Sequence, residues 1–298
     1  MGFEAYVINL LVFAGIYSIL SISLNLVMGY AGLLNMGHVA FYGIGAYTSA
    51  LLALNLGAPF WLAFLMGGII ASIFGVLLAF PTTKLRGDYL AIATLGFAII
   101  VENIFRNWTS LTRGPLGLPG IPKPSLFGFI FSNTSSYLIL VVVIAIITYV
   151  LVNYIVSSPY GMVLKAVRED ELATSSLGKN VVKYKIQAMA ISAFFAGVAG
   201  SLYAHYISFI DPSSFTIIES ILVISMVIVG GLASMPGAVI GAIVLVFLPE
   251  PLRFLPIPSF AIGALRQMIY AGLLVWILMK KPRGFFEGYV HKIKGGLK

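Results

Sequence analysis

Long apolar runs alternate with short polar joints along almost the whole chain. Windows of about 19 residues place apolar stretches near 6–28, 34–54, 60–80, 89–105, 137–156, 187–209, 217–233, 236–250 and 263–279. A hydrocarbon core about 30 Å thick is crossed by roughly 20 apolar residues in a helix. The pattern therefore predicts an all-α, polytopic transmembrane helical bundle of about nine spans, eight to ten at the limits. The seventh and eighth stretches are short and interrupted by Gly230-Gly231 and Pro236-Gly237, which makes one of them a candidate re-entrant or broken segment. The first run is too long for a signal-peptide core and has only Glu4 before it, so it reads as a retained span.

Composition sharpens this reading. Hydrophobic residues make up 60% of the 298 residues and charged ones 9%, far from the balance of soluble domains. No stretch is left for a large soluble domain, so residues 1–298 read as one transmembrane domain. The net charge of +8 reflects the usual excess of Lys and Arg in cytoplasmic loops rather than a nucleic-acid surface. With no cysteine, disulfides, thiolate metal sites and thiol nucleophiles are excluded.

The basic residues also set an orientation. If the C-terminal tail is cytoplasmic, that side holds Lys84, Arg86, Lys165, Arg168, Lys179, Lys183, Lys185, Lys280, Lys281, Arg283, Lys292, Lys294 and Lys298. Only Arg106, Arg113, Lys123, Arg253 and Arg266 remain for the other side. The expected arrangement has the N-terminus outside, with the basic tail 280–298 and a polar loop at about 157–187 in the cytoplasm.

That loop opens with "SPYGMVLKAVREDELATSSLGKN", Ser158 to Asn180. Ser158-Pro159 reads as an N-cap followed by proline at the first helical position. Gly178 is a natural stop, able to take the left-handed conformation after a helix end. Between them the sequence predicts one cytoplasmic helix, or two short ones, with Met162, Leu164, Val167 and Leu172 among charges. Apolar knobs inside a polar rim suit a groove on another protein. The alternative is a loop resting on the bilayer or on neighbouring helices, although the acidic run Glu169-Asp170-Glu171 disfavours an anionic leaflet.

Polar groups within spans are costly and are candidate sites. Asn25, His38, Glu102 and Asn103, together with Gly43, are the candidates for a translocation path, with His205 a further polar group near a span end. Gly29, Gly32, Gly37, Gly43 and Gly45 surround His38, a density that suits either close helix packing or an unwound segment lining a path. His38 itself is expected to be a satisfied interior histidine. Glu102 and Arg106 are spaced to pair on one helix face, and Asp211 and Glu219 are expected on the outer surface. Gly32-Leu-Leu-Asn-Met36 is weakly echoed by Gly231-Leu-Ala-Ser-Met235, a hint of an internal repeat.

Chemistry-bearing motifs are absent. A P-loop needs G-x-x-x-x-G-K-[ST]; Gly178-Lys179 comes nearest, but Ala173 and Asn180 fill the positions of the first glycine and the hydroxyl residue. Neither H-E-x-x-H nor G-x-S-x-G occurs, which disfavours a membrane enzyme.

The polar loop resembles the cytoplasmic loop of the permeases of high-affinity branched-chain amino acid ABC importers, of the form S-P-x-G-R-x-x-x-A-x-R-E-D-E-x-A-A-x-x-L-G-x-N. Gly29–Leu52 ("GYAGLLNMGHVAFYGIGAYTSALL"), Leu85–Ile104 ("LRGDYLAIATLGFAIIVENI"), Leu111–Ile121 ("LTRGPLGLPGI") and Gly230–Ala242 ("GGLASMPGAVIGA") resemble the same family in the same order. The match runs over roughly residues 20 to 285 and is nearest to the LivM-type member of a heterodimeric pair. Met162 departs from the family's arginine, and Leu116 stands where the outer loop often reads G-P-N-G.

The resemblance implies the ABC importer permease fold and a partnership with a second permease subunit, two ATP-binding cassette ATPases and a soluble substrate-binding protein. ATP and Mg would be bound by the ATPases, with no cofactor or metal in this chain. Gly161 would set the turn of the coupling loop. Lys165, Arg168, Glu169 and Asp170 would make its polar contacts, and Val163, Leu164 and Val167 would be its packed knobs. The cargo implied is leucine, isoleucine or valine, with urea or a short amide in the same family as the alternative. An ion-coupled secondary transporter is the reading from another class, and it would want carboxylates near the midplane.

Overall fold

The computed structural model describes residues 3–85, 87–126, 129–131, 133–250, 265, 268–272, 275 and 279. Among the described residues, six helices are long and apolar enough to cross a membrane. They are α1 (Phe3–Asn25, prolonged by a π-helical turn over Leu26–Tyr30), α2 (His38–Leu56), α3 (Phe60–Thr82), α4 (Asp88–Asn107), α6 (Thr134–Ser157) and α9 (Val181–Ile207). The short α5 (Thr109–Thr112) lies between α4 and α6, while α7 (Pro159–Glu169) and α8 (Glu171–Ser176) lie between α6 and α9. Two shorter apolar helices follow, α10 (Ile217–Gly230) and α11 (Met235–Phe247). The expected ninth span and the basic tail fall mostly outside the described residues.

The seventh and eighth expected spans need correction. At about 1.5 Å per residue, α10 and α11 each reach only about 20 Å, short of a full crossing. Together they form a hairpin. Near its base, Tyr206 at the end of α9 donates to Asn9, and Tyr6 donates to Glu250. Both contacts lie at the start of α1, whereas the hairpin tip at Ala233-Ser234 is bonded to Asn25 near the end of α1. The hairpin thus enters and leaves at one end of the bundle. The second expected span also starts later, because residues 31–37 are not helical.

Small residues hold the centre. A Cβ at Gly200 would lie 1.9 Å from the Tyr42 carbonyl oxygen, and one at Gly45 would lie 2.2 Å from that of Gly197. A Cβ at Gly67 would lie 2.3 Å from Ser201 Oγ, which itself donates to the Gly45 carbonyl at 3.3 Å. In lipid, helices gain nothing from hiding apolar surface from water, so close backbone approach supplies the packing instead. The triple contact of α2, α3 and α9 is the core that positions everything else.

At the end of the bundle where α1 begins, Tyr47 stacks on Phe105 with centroids 4.2 Å apart, and Tyr42, Tyr203 and Phe215 join them. The loop after α4 closes over this end, and its strand β1 (Leu118–Pro119) pairs antiparallel with the later strand Phe209–Ile210. Gly117 has a positive φ, and a Cβ there would meet the Ile210 carbonyl at 2.4 Å, which accounts for the glycine in that motif.

Gly200→Val is expected to cost at least about 3 kcal/mol by overpacking, read as loss of monodisperse protein on size-exclusion chromatography. Gly96, whose Cβ position is open, should accept alanine with a change below about 0.5 kcal/mol.

Candidate functional site

The polar loop folds as two short helices against the end of the bundle where α1, α3 and α6 finish and α9 starts. Proline at the first position and extended backbone at Ser158 start α7 as expected. The Ser158 hydroxyl, however, caps nothing; it donates back to the Ile155 carbonyl at 2.7 Å. The corner between α6 and α7 is tight, for a Cβ at Gly161 would lie 2.2 Å from the Val156 carbonyl oxygen. Gly161 stands at this corner, where no side chain would fit. Gly178 ends α8 with φ +77°, in the left-handed region foreseen for it.

Of the expected knobs, Leu164 and Val167 are fully buried against the body of this chain and Val163 is half-buried. The reason is the i, i+3 geometry of α7: Gly161, Leu164 and Val167 form the stripe that faces the bundle. The large apolar side chains left outward on α7 and α8 are Met162, 62% exposed, and Leu172, 69% exposed, with Leu177 beyond the end of α8 outward as well.

The charges divide in the same way. Glu169 is exposed. Asp170 caps α8, its Oδ1 accepting from the Leu172 and Ala173 amides at 2.8 and 3.0 Å. Lys165 places its ammonium 5.5 Å from the centre of the Tyr30 ring. Arg168 sends Nη1 to the Gly29 carbonyl. Lys185, near the start of α9 and 2% exposed, pairs with Glu171 and donates to the Thr83 carbonyl at 3.2 Å, tying α8, α9 and α3 together. Its burial is invisible to hydropathy, which reads every lysine as a surface residue.

Behind Arg168 lies the break between α1 and α2. Asn25 is fully buried and spends both ends of its amide on backbone: Nδ2 donates to the Ser234 carbonyl at 2.8 Å, and Oδ1 accepts from the Ala233 amide at 3.0 Å. It is a clamp on the hairpin tip. The echoed pentapeptides turn out to be the two breaks themselves. Each begins with a positive-φ glycine, Gly32 at +70° and Gly231 at +106°, and each ends against a new helix. Asn35 Oδ1 accepts from the Gly37 amide at 3.0 Å, and Ser234 Oγ accepts from the Gly237 amide at 3.2 Å. Backbone freed inside a membrane has to be satisfied by such side chains.

His38 opens α2, fully buried, with Nε2 2.8 Å from Ser23 Oγ. Ser23 Oγ also lies 2.8 Å from the Leu20 carbonyl oxygen. Nδ1 has no partner among the described residues, so His38 is satisfied on one side only. Gly43 serves close packing: a Cβ there would lie 2.8 Å from the Phe105 ring. Glu102 and Arg106 pair at 2.8 Å, as their spacing predicts. Asn103 donates to the Ile99 carbonyl at 2.8 Å on an exposed face of α4. These last three sit at the end of the bundle away from α7, so the structure splits the expected path residues between two levels. His205 is partnered on both nitrogens, by Ser49 at 2.9 Å and the Pro122 carbonyl at 2.6 Å. Glu219, half-buried in the first turn of α10, accepts from Tyr17 of α1. Asp211 collects the hydroxyls of Ser213 and Ser214.

Residues 6–278 match the family described as branched-chain amino acid transport system, permease component. The chain belongs to that family. It is 39% identical to the high-affinity branched-chain amino acid transport system permease protein LivM of Escherichia coli, over 90% of this chain and 67% of that one. It is 27% identical to a probable branched-chain amino acid transport permease LivM of Methanocaldococcus jannaschii, over 92% and 91% of the two chains. With the permease LivH of E. coli it shares 26% identity over 90% of each. No solved structure matches it. The family and the six apolar helices make this chain a multi-pass membrane permease.

Replacing Asn25 with leucine would strand the Ala233 amide and the Ser234 carbonyl in the permease interior. A loss of about 2–4 kcal/mol is expected from two unsatisfied groups, read as a lowered melting temperature in detergent. Asn25→Asp, which keeps only the acceptor, should recover part of that loss.

Proposed function

We propose that this permease is one transmembrane subunit of an ATP-driven importer of branched-chain amino acids, moved by separate ATPase subunits that dock on α7 and α8. The observation that carries the reading is the pair Met162 and Leu172, held outward among Glu169 and other charges on a polar two-helix element whose inner stripe is already committed to the bundle. Exposed apolar side chains in a polar rim, outside the apolar spans, suit a groove on a protein partner. Family membership supplies the class of cargo, and likeness to both LivM and LivH of one organism supports pairing with a second permease.

The mechanism follows from stiffness. The corner at Gly161 leaves no slack between α6 and α7, so a displacement of α7 moves the end of α6 with it. The ion pair of Lys185 with Glu171 and its bond to Thr83 do the same for α8, α9 and α3. ATP closing an ATPase dimer would draw two such elements together and switch the access of a route between the paired permeases. ATP and Mg stay with the ATPases. A soluble binding protein would deliver cargo at the opposite, outer end, where the loop of Leu118–Pro119 lies; the face bearing α7 is then cytoplasmic. Low intramembrane charge suits a route that lets apolar side chains pass without holding them.

Reconstitution with the second permease, the ATPases and the binding protein tests this. Leucine should accumulate in proteoliposomes only with ATP, and a protonophore should leave uptake unchanged. Uptake that survives without ATPase subunits but collapses with the ion gradient would refute the reading, as would accumulation of urea but not leucine. Met162→Glu and Leu172→Glu should each weaken co-purification of the ATPases about tenfold or more, the loss expected for an apolar anchor in an interface, with membrane insertion unchanged.

A further inference from the structure

Arg168 was expected to face a partner, yet its guanidinium turns back into its own chain. The carbonyl it meets belongs to Gly29, in the π-helical turn that ends α1. The last carbonyls of a helix have no intrahelical donor, and the negative end of the helix dipole favours a cation there. Lys165 of the same face of α7 covers the adjacent Tyr30 ring. The contact is close along its length: Gly32 has a positive φ, and a Cβ on it would lie 2.7 Å from Arg168 Cγ.

The opposite side of this same turn meets the hairpin between α10 and α11. A Cβ on Gly29 would lie 2.1 Å from Asn25 Oδ1 and 2.5 Å from the Ala233 amide nitrogen. Asn25 in turn clamps Ala233 and Ser234. Ala233 is held at φ +59°, a left-handed conformation that a residue with a Cβ adopts at a cost. π turns concentrate at functional positions. Here one lies directly between α7 and the tip of a hairpin too short to cross the membrane.

We infer that Arg168 is a positioning residue that hands the motion of α7, through the π turn at Gly29 and the Asn25 clamp, to the hairpin tip Gly231–Ser234, and that this tip is the moving gate of the route. The inference rests on the importer reading and adds to it an internal line of transmission distinct from the ATPase contact. It also separates two roles within one helix: Met162 and Leu172 receive the push, and Arg168 passes it on.

The absence of native cysteine permits a direct test. Spin labels on Leu56→Cys, at the opposite end of the bundle, and Leu232→Cys, in the hairpin tip, report the tip's displacement in the complete transporter. With Arg168 present, the distance should change between the nucleotide-free and ATP-vanadate states. Arg168→Met should keep the ATPases bound and hydrolysing, abolish the distance change and lower leucine uptake per ATP at least tenfold, the effect of losing a charged hydrogen bond. Arg168→Lys should recover part of both. An unchanged distance shift with normal uptake in Arg168→Met would overturn the inference. So would loss of ATPase binding in that variant, which would make Arg168 a partner contact while leaving the importer reading intact. Should Arg168→Met fail to reach the membrane, full retention of the shift in Arg168→Lys would overturn it equally. No ATP-dependent uptake with Arg168 in place would remove the importer reading and this inference together.

Discussion

Backbone groups freed inside a membrane must find partners within the protein, and much of this structure follows from that constraint. The chain breaks its helical run at residues 31–37 and again at Gly231–Ser234. At both places side chains take over from the helix ladder: Asn35 and Thr94 at the first, Asn25 and Ser234 at the second. Arg168 supplies one more donor, to Gly29, from outside the spans. A break thus becomes a junction, because the groups that satisfy it come from elsewhere in the chain. The α7 helix, the end of α1 and the hairpin tip meet there for that reason.

Rigid surroundings make such a junction useful. The helices α2, α3 and α9 touch backbone to backbone at Gly45, Gly67, Gly197 and Gly200, and close-packed interiors transmit displacement rather than absorb it. Aromatic rings and a short strand pair close the far end. Between these fixed parts stand the short α10 and α11, anchored at the base through Tyr6 and Tyr17 and at the tip through Asn25.

The spans α1 to α4, α6 and α9 were legible because length and apolarity suffice to identify a crossing. The start of α7 at Pro159 and the stop after α8 at Gly178 were legible because each residue has a backbone preference of its own. The direction of a side chain was not. Leu164 and Met162 are two residues apart and equally apolar, yet one is fully buried and the other faces out. Lys185 reads as a loop cation and is almost wholly buried with Glu171. The repeat of Gly32–Met36 in Gly231–Met235 was visible as a weak echo, but not that both stretches are helix breaks.

By itself, the sequence determined that the chain lives in a bilayer, where its apolar runs and its polar element lie and which family motifs it carries. These follow from local composition and from backbone preferences that act over a few residues. Only the tertiary structure decided that the seventh and eighth runs form one hairpin, that Asn25 holds its tip, and that Arg168 reaches Gly29. Those partners are separated by more than a hundred residues, and a contact over that distance depends on how helices pack rather than on what any one segment prefers.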